Sequence, residues 1–203
     1  MIIYKKEYYI NELDINEVLR YAGVKNPNLE TEKLLNECVS LVPEKVHGKV
    51  CYVKVPVIVE DETIDFNFFK IHSKDLQKNL SGCHSAVIFA ATVGFEFDKL
   101  IKTYGSISPS KALFLQSIGT ECVEKLCDLF NKDINVEQND LGNNTVPRFS
   151  PGYGNLPLEL QKEIFNLLNC EKNIGVFLNE SLLMTPSKSV TAIIGIKSKD
   201  LGD

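Results

Sequence analysis

The period of the apolar positions changes several times along the chain, and each change marks a predicted element. A short β-like start leads into Asp14 to Ala22, where Ile15, Val18, Leu19 and Ala22 recur at helical spacing and Gly23 stands at a C-cap position. After Pro27-Asn28, the residues Leu34, Leu35, Cys38, Val39 and Val42 share one helical face until Pro43 ends the run. An N-terminal helical pair is therefore expected. From Lys49 to Val59 the pattern alternates and is β-branched, and the acidic turn Glu60-Asp61-Glu62 joins it to Ile64 to Phe68, which predicts a hairpin. Ser85 to Val93 is an almost unbroken apolar run ending at Gly94, the composition of a strand covered on both faces and so of a central one.

Helical spacing returns over Phe95 to Thr103 and Ser108 to Lys132. In the second segment Ser108-Pro109 supplies an N-cap and a proline at N1, while Ala112, Leu115, Ile118, Cys122, Leu126 and Leu129 trace an apolar stripe. A polar, turn-rich stretch from Asn135 to Val146 follows, then a helix over Leu158 to Leu168 and two late strands near Ile174 to Leu178 and Ser189 to Ile196. Strands and helices in this mixed order predict an α+β fold. No repeat and no Pro/Gly/Ser-rich linker divides the chain, so residues 1–203 are expected to form one domain. Its N-terminal helical part spans 1–45, and an α+β part at 46–203 contains the loop 148–157.

Composition narrows the partners. The chain is 44% hydrophobic and 24% charged, values of an ordinary globular protein, so no segment needs disorder to explain it. A net charge of −5 with dispersed lysines offers no basic stripe, which argues against nucleic acid. Met1 to Lys6 lacks a basic n-region followed by an apolar h-region, and no apolar run approaches the roughly 18 residues of a membrane span, so a cytoplasmic, membrane-free protein is expected. Cys38, Cys51, Cys83, Cys122, Cys127 and Cys170 are scattered without a Cys-x-x-Cys, the pattern of reduced thiols. Cys83 and His84 are adjacent, but no second pair stands at ligand spacing, so burial is expected there and no structural metal.

The segment with the most chemistry is Arg148-Phe149-Ser150-Pro151-Gly152-Tyr153-Gly154-Asn155-Leu156-Pro157. It combines a fixed planar cation, two prolines that restrict φ and two glycines that admit φ > 0. Without a Cβ at Gly152 and Gly154, a flat ligand could approach the main chain, with free N–H and C=O groups for a heterocycle edge and Tyr153 as a flat face. The same residues also suit a plain proline-glycine turn between a long and a short helix, with Arg148 salt-bridged at the surface, and composition does not choose between the two. Phosphate-cradling glycine spacings are absent, and Ser150 is not in a Gly-x-Ser-x-Gly elbow, so neither a nucleotide phosphate loop nor a hydrolase nucleophile is indicated.

Two motifs carry a family resemblance. Arg148 to Tyr153 resembles the Arg-x-x-Pro-Gly-Tyr signature of the activation (reactivation) domain of cobalamin-dependent methionine synthase. The segment Asn179 to Val190 resembles that family's Glu-Ser-x-x-Met-x-Pro-x-x-Ser-Val segment through Glu180, Ser181, Met184, Pro186, Ser189 and Val190. The likeness runs from Ser108 to about Ile196. It implies a bent, largely antiparallel sheet flanked by helices, S-adenosylmethionine as the bound methyl donor, and cobalamin carried by a partner protein. Arg148 would hold the ligand carboxylate, the loop at Ser150 and Gly152 would meet the adenine, and Tyr153 would lie at the ligand on its corrinoid side. Glu121 is the nearest match to the family's acid on the long helix, and no position matches its N-terminal aspartate. No catalytic acid, base or nucleophile is implied on this chain.

Ser150 and Gly154 stand where the family has alanine and proline. The sequence also holds no Asp-x-His-x-x-Gly corrinoid motif, so the resemblance implies reactivation in trans, on a separate methionine synthase or other corrinoid protein. A flavodoxin-like electron donor is implied as well, and pairing with a second copy would cover apolar surface. The competing reading is a non-catalytic docking or sensing module that keeps the fold and recognises a corrinoid protein or another small ligand. In the second motif, Met184 is expected in the core and Lys188 at the surface of a turn, with Lys188 and Ser189 as pocket neighbours if the likeness extends that far.

Overall fold

Sheet formation in this chain follows the alternation of its apolar residues, and the central strand shows how. The computed structural model describes residues 1–43 and 46–199. Along β6 (Ser85–Thr92), Val87, Phe89 and Ala91 enter one core while Ala86, Ile88 and Ala90 enter another, so the unbroken apolar run serves both faces. Its neighbours are β2 (Val46–Pro56) and β10 (Ser189–Ser198). With β1 (Tyr4–Ile10) and β7 (Asn143–Thr145) at the edges, the order is β1-β2-β6-β10-β7, and every pairing is antiparallel. The expected α+β fold with an antiparallel sheet flanked by helices is what the chain forms.

One face of the sheet carries α1 (Ile15–Tyr21), α2 (Leu29–Ser40), α4 (Glu96–Gly105) and α5 (Pro109–Asp140). Side chains cap the starts of α1 and α2, where the Asp14 carboxylate accepts the Asn16 and Glu17 N–H groups and Asn28 Oδ1 accepts that of Thr31. The boundary drawn at residue 45 falls on residues 44 and 45, outside the described residues. The other face carries α3 (Lys74–Asn79), α6 (Leu160–Leu168) and α7 (Cys170–Ile174), together with a small sheet of β3 (Ile58–Glu60), β4 (Thr63–Asp65) and β5 (Lys70–His72). All six cysteines are buried as free thiols. No helix among the described residues is long and apolar enough to cross a membrane.

Three sequence expectations are corrected. The alternating run Lys49 to Val59 is not one strand: β2 ends at Pro56, and the chain restarts as β3, which pairs with β4 in a different sheet. The break falls at a proline, which has no N–H to give a ladder. The stretch from Asn135 to Val146 is not turn throughout, because α5 continues to Asp140. Its apolar stripe persists through Phe130 and Ile134 to Gln138, whose buried amide oxygen accepts an N–H from Asn143. The strand expected near Ile174 to Leu178 begins as helix α7 and keeps only Phe177–Leu178, β8, paired with Met184–Thr185, β9. Asn169, at φ +46, separates α6 from α7.

Candidate functional site

The loop after β7 runs along the open edge of β10. Phe149 exchanges two hydrogen bonds with Ile193, both 2.9 Å, so the loop begins as a single bridge added to the sheet. It then closes on itself. Tyr153 N–H donates to Ser150 C=O (3.1 Å), Gly152 N–H to Leu156 C=O (2.9 Å) and Leu156 N–H to Tyr153 C=O (3.0 Å). Of the main-chain groups expected to be free at Gly152 and Gly154, the Gly152 N–H is therefore used within the loop.

The two glycines are required, for a reason other than ligand access. Gly152 (φ +86) and Gly154 (φ +55) lie in the left-handed region. A Cβ on Gly152 would sit 3.1 Å from Leu158 Cδ1, and one on Gly154 would sit 2.4 Å from Asp75 Oδ2. Both missing side chains make room for neighbouring protein.

Beside the loop lies a hollow of about 600 Å³, within the size range of small-molecule sites. Its wall includes Asn79, Glu124, Arg148, Ser150, Tyr153 and Val190. Phe149 meets Tyr153 edge to face at 5.4 Å and 82°, and Tyr153 remains 70% exposed. Of the sequence-predicted site residues, Arg148, Ser150 and Tyr153 come together here, while Gly152 shapes the loop from behind the wall. Glu121 is placed elsewhere: it is buried, and its Oε1 accepts the Asp14 N–H at 3.4 Å where the start of α1 meets α5. Burial, and then the nearby Asp14 charge, push its carboxyl above the ordinary range, and the Asp14 N–H only partly opposes this.

The acid that faces the hollow is Glu124. Arg148 Nη2 donates to Glu124 Oε2 at 2.7 Å and Nη1 to Asp128 Oδ1 at 2.6 Å. With its amide turned to satisfy both neighbours, Asn131 accepts from Nη1 at 2.8 Å. Burial works against the guanidinium charge, but the hydrogen bonds and the negative neighbours outweigh it and hold its pKa above the usual value. A guanidinium has five N–H donors, so Nε–H and one Nη2–H remain without a partner among the described residues. Both are charged donors of the kind a carboxylate accepts. The salt-bridged reading of Arg148 is thus correct as far as it goes, and the ion pair forms part of a hollow.

The second motif leads into β10. Ser189 is buried, and its hydroxyl donates to Pro186 C=O at 2.7 Å. Met184 packs partly buried against the second core, as expected. Lys188 is not a free surface lysine: its Nζ donates to Thr120 Oγ1 at 3.1 Å, and burial lowers its pKa. It reaches α5 because Gly119 has no side chain, since a Cβ there would be 3.0 Å from Lys188 Cε. A second hollow of similar volume, between α6, α7 and β8, is lined by Lys162, Phe165, Asn169, Glu171 and Phe177 and contains no motif residue. Among the described residues, no three His, Cys, Asp or Glu side chains are grouped to hold a metal ion.

Sequence reasoning missed Glu124, Asp128 and Asn79. Glu124 and Asp128 stand four apart, a spacing that places both on one side of α5 and was open to reading. Asn79 had no such signal.

Residues 76–199 match the model of the vitamin B12 dependent methionine synthase activation domain. No curated protein gives a significant match. Among solved structures, the chain is similar to the MetH reactivation domain in a crystal structure of that domain bound to AdoHcy, with a TM-score of 0.68 and 14% identity over 98% of this chain and 80% of that one. At that identity the likeness is one of fold.

Proposed function

The chain belongs to the family of the vitamin B12 dependent methionine synthase activation domain, and from that premise we propose that the hollow at Arg148 binds S-adenosylmethionine and presents it to a protein-bound cobalamin. The observation that carries this reading is the pairing of Arg148 and Glu124 on one wall with Ser150 and Tyr153 on the adjoining loop. An amino acid head group is zwitterionic. Arg148 offers its two uncommitted N–H donors to the carboxylate, and Glu124 offers an acceptor to the ammonium. The Ser150 hydroxyl and the Tyr153 ring suit the polar edge and flat face of a nucleoside.

Bound there, S-adenosylmethionine supplies the methyl group. The protein contributes orientation: the sulfonium would be held by its two ends, a proximity effect that needs no proton transfer from this chain. The hollow is open, as presentation to a second macromolecule requires, and Tyr153, exposed on its wall, would face the cobalamin in this reading. We place that cobalamin on a methionine synthase or another corrinoid protein, as membership of a vitamin B12 dependent family suggests. A flavodoxin-like protein supplies the electron that reduces the inactive cobalt.

The test is calorimetry with S-adenosylmethionine and S-adenosylhomocysteine, followed by an assay of methylcobalamin formation on a corrinoid protein under reducing conditions. Saturable binding lost in Arg148→Ala supports the reading, and no binding by the unmutated chain ends it. Binding of the corrinoid protein without faster methylcobalamin formation would support a docking module instead, in which the Arg148 ion pairs are purely structural.

A further inference from the structure

We infer that the short helix α3 is the positioning element of the Arg148 loop, with Asp75 and Asn79 as the residues that fix its two ends; the inference rests on the reading of the adjoining hollow as the ligand site. At the first turn of α3, Asp75 Oδ2 accepts the Asn155 N–H at 3.0 Å. Asn155 Oδ1 in return accepts the Asp75 N–H at 3.1 Å and the Ser73 hydroxyl at 2.6 Å. At the last residue of α3, Asn79 Nδ2 donates to the Pro147 carbonyl at 3.1 Å. Pro147 immediately precedes Arg148, and Asn155 closely follows Tyr153. Every loop residue on the hollow therefore lies between two attachments to one helix.

Geometry gives this arrangement its effect. Residues 75 and 79 are four helical steps apart, roughly 6 Å along the axis, whereas a chain from 147 to 155 reaches more than ~25 Å when extended. Fixing the ends so close together forces the intervening residues to bow outward, which is the shape that carries Arg148, Ser150 and Tyr153 around the hollow. The anchor itself is firm. Leu76 is fully buried in the second core, and Leu80 next to the helix is buried with it. Ser73 caps the helix by accepting the Leu76 N–H while it donates to Asn155. Gly154 belongs to the same device, because its missing Cβ is what lets the Asp75 carboxylate reach the Asn155 N–H. Asn79 also forms part of the hollow's wall, so the helix reaches the site directly.

The experiment uses the full chain and three variants, Asp75→Ala, Asp75→Asn and Asn79→Ala, compared by amide hydrogen exchange over 149–156 and by calorimetry with S-adenosylhomocysteine. Asp75→Ala is expected to speed exchange at the Asn155 and Leu156 amides and to weaken the ligand, each on the order of tenfold. Asp75→Asn keeps an oxygen that can accept the Asn155 N–H, and should restore both. Asn79→Ala tests the other attachment independently, should Asp75→Ala fail to fold, and is expected to weaken the ligand while speeding exchange at Phe149. Unchanged exchange in the alanine variants, unchanged affinity despite faster exchange, or equal loss in Asp75→Ala and Asp75→Asn would each overturn the inference. If the unmutated chain binds no S-adenosylhomocysteine, the ligand reading fails, and the exchange data alone still decide whether α3 holds the loop.

Discussion

Asp75 and Asn155 each accept the other's main-chain N–H, at 3.0 and 3.1 Å, although 80 residues separate them in sequence. The exchange ties the end of the Arg148 loop to α3, and it fixes the identity of the residue between Tyr153 and Asn155. Position 154 has to be glycine twice over, for its φ of +55 and for its contact with the Asp75 carboxylate.

Gly154→Ala should therefore destabilise the fold by about 1–3 kcal/mol, from a strained left-handed residue and a displaced carboxylate together. Urea denaturation would show this as a lower midpoint at unchanged slope. Stability equal to the parent protein would mean that the loop relaxes freely.

Arg148→Lys should behave much like Arg148→Ala toward the ligand. A lysine cannot satisfy Glu124, Asp128 and a ligand carboxylate at once, because it lacks the planar fork. Calorimetry should show affinity falling on the order of tenfold or more in both variants. Retained affinity in the lysine variant would show that charge alone suffices.

Glu124 and Glu121 should separate cleanly. Glu124→Gln is expected to weaken S-adenosylmethionine on the order of tenfold by removing the anionic acceptor for its ammonium. Glu121→Gln should leave affinity unchanged, because that side chain faces the start of α1. The opposite pattern would transfer the ligand contact to Glu121.

Glu121 should also leave a mark on the pH dependence of stability. Its folded pKa is raised by burial, so within the window above the ordinary carboxyl value the native state holds more protons than the unfolded one. Its contribution is full below the unfolded pKa and is lost as pH rises through the raised folded value. The stability difference between Glu121→Gln and the parent should therefore grow in favour of the variant as pH rises through that window, read by denaturation at a series of pH values.

Thiol labelling gives a further check on the fold. Burial pushes Cys122 and Cys127 up to about 12, and the remaining four cysteines are buried as well. At mildly alkaline pH the native protein should resist a thiol reagent, and all six cysteines should react in denaturant. Rapid labelling of the native state would contradict the burial of these thiols.

The layers of this fold were legible because β6 and α5 have patterns that only one environment explains: a strand apolar on both faces, and a long helix with one stripe. The sheet boundary at Pro56 was not, because the alternation runs on unbroken through Val57 while the strand's partners change, and strand partnership is not local information. The turns of the loop were legible, since Pro and Gly act on their own backbone. What surrounds it was not. Whether Glu121 or Glu124 meets Arg148 depends on where α1 docks against α5, and the bond from Asn79 to Pro147 depends on two segments whose proximity no spacing announces.

Arg148 is bonded to α5, on one layer, and seven residues later Asn155 is bonded to α3, on the other. Both ends of the loop are tied to α3, and the Arg148 side chain adds a tie to α5, so the loop is stitched to both layers. A loop stitched in this way can lose its place only where one of the layers that hold it gives way.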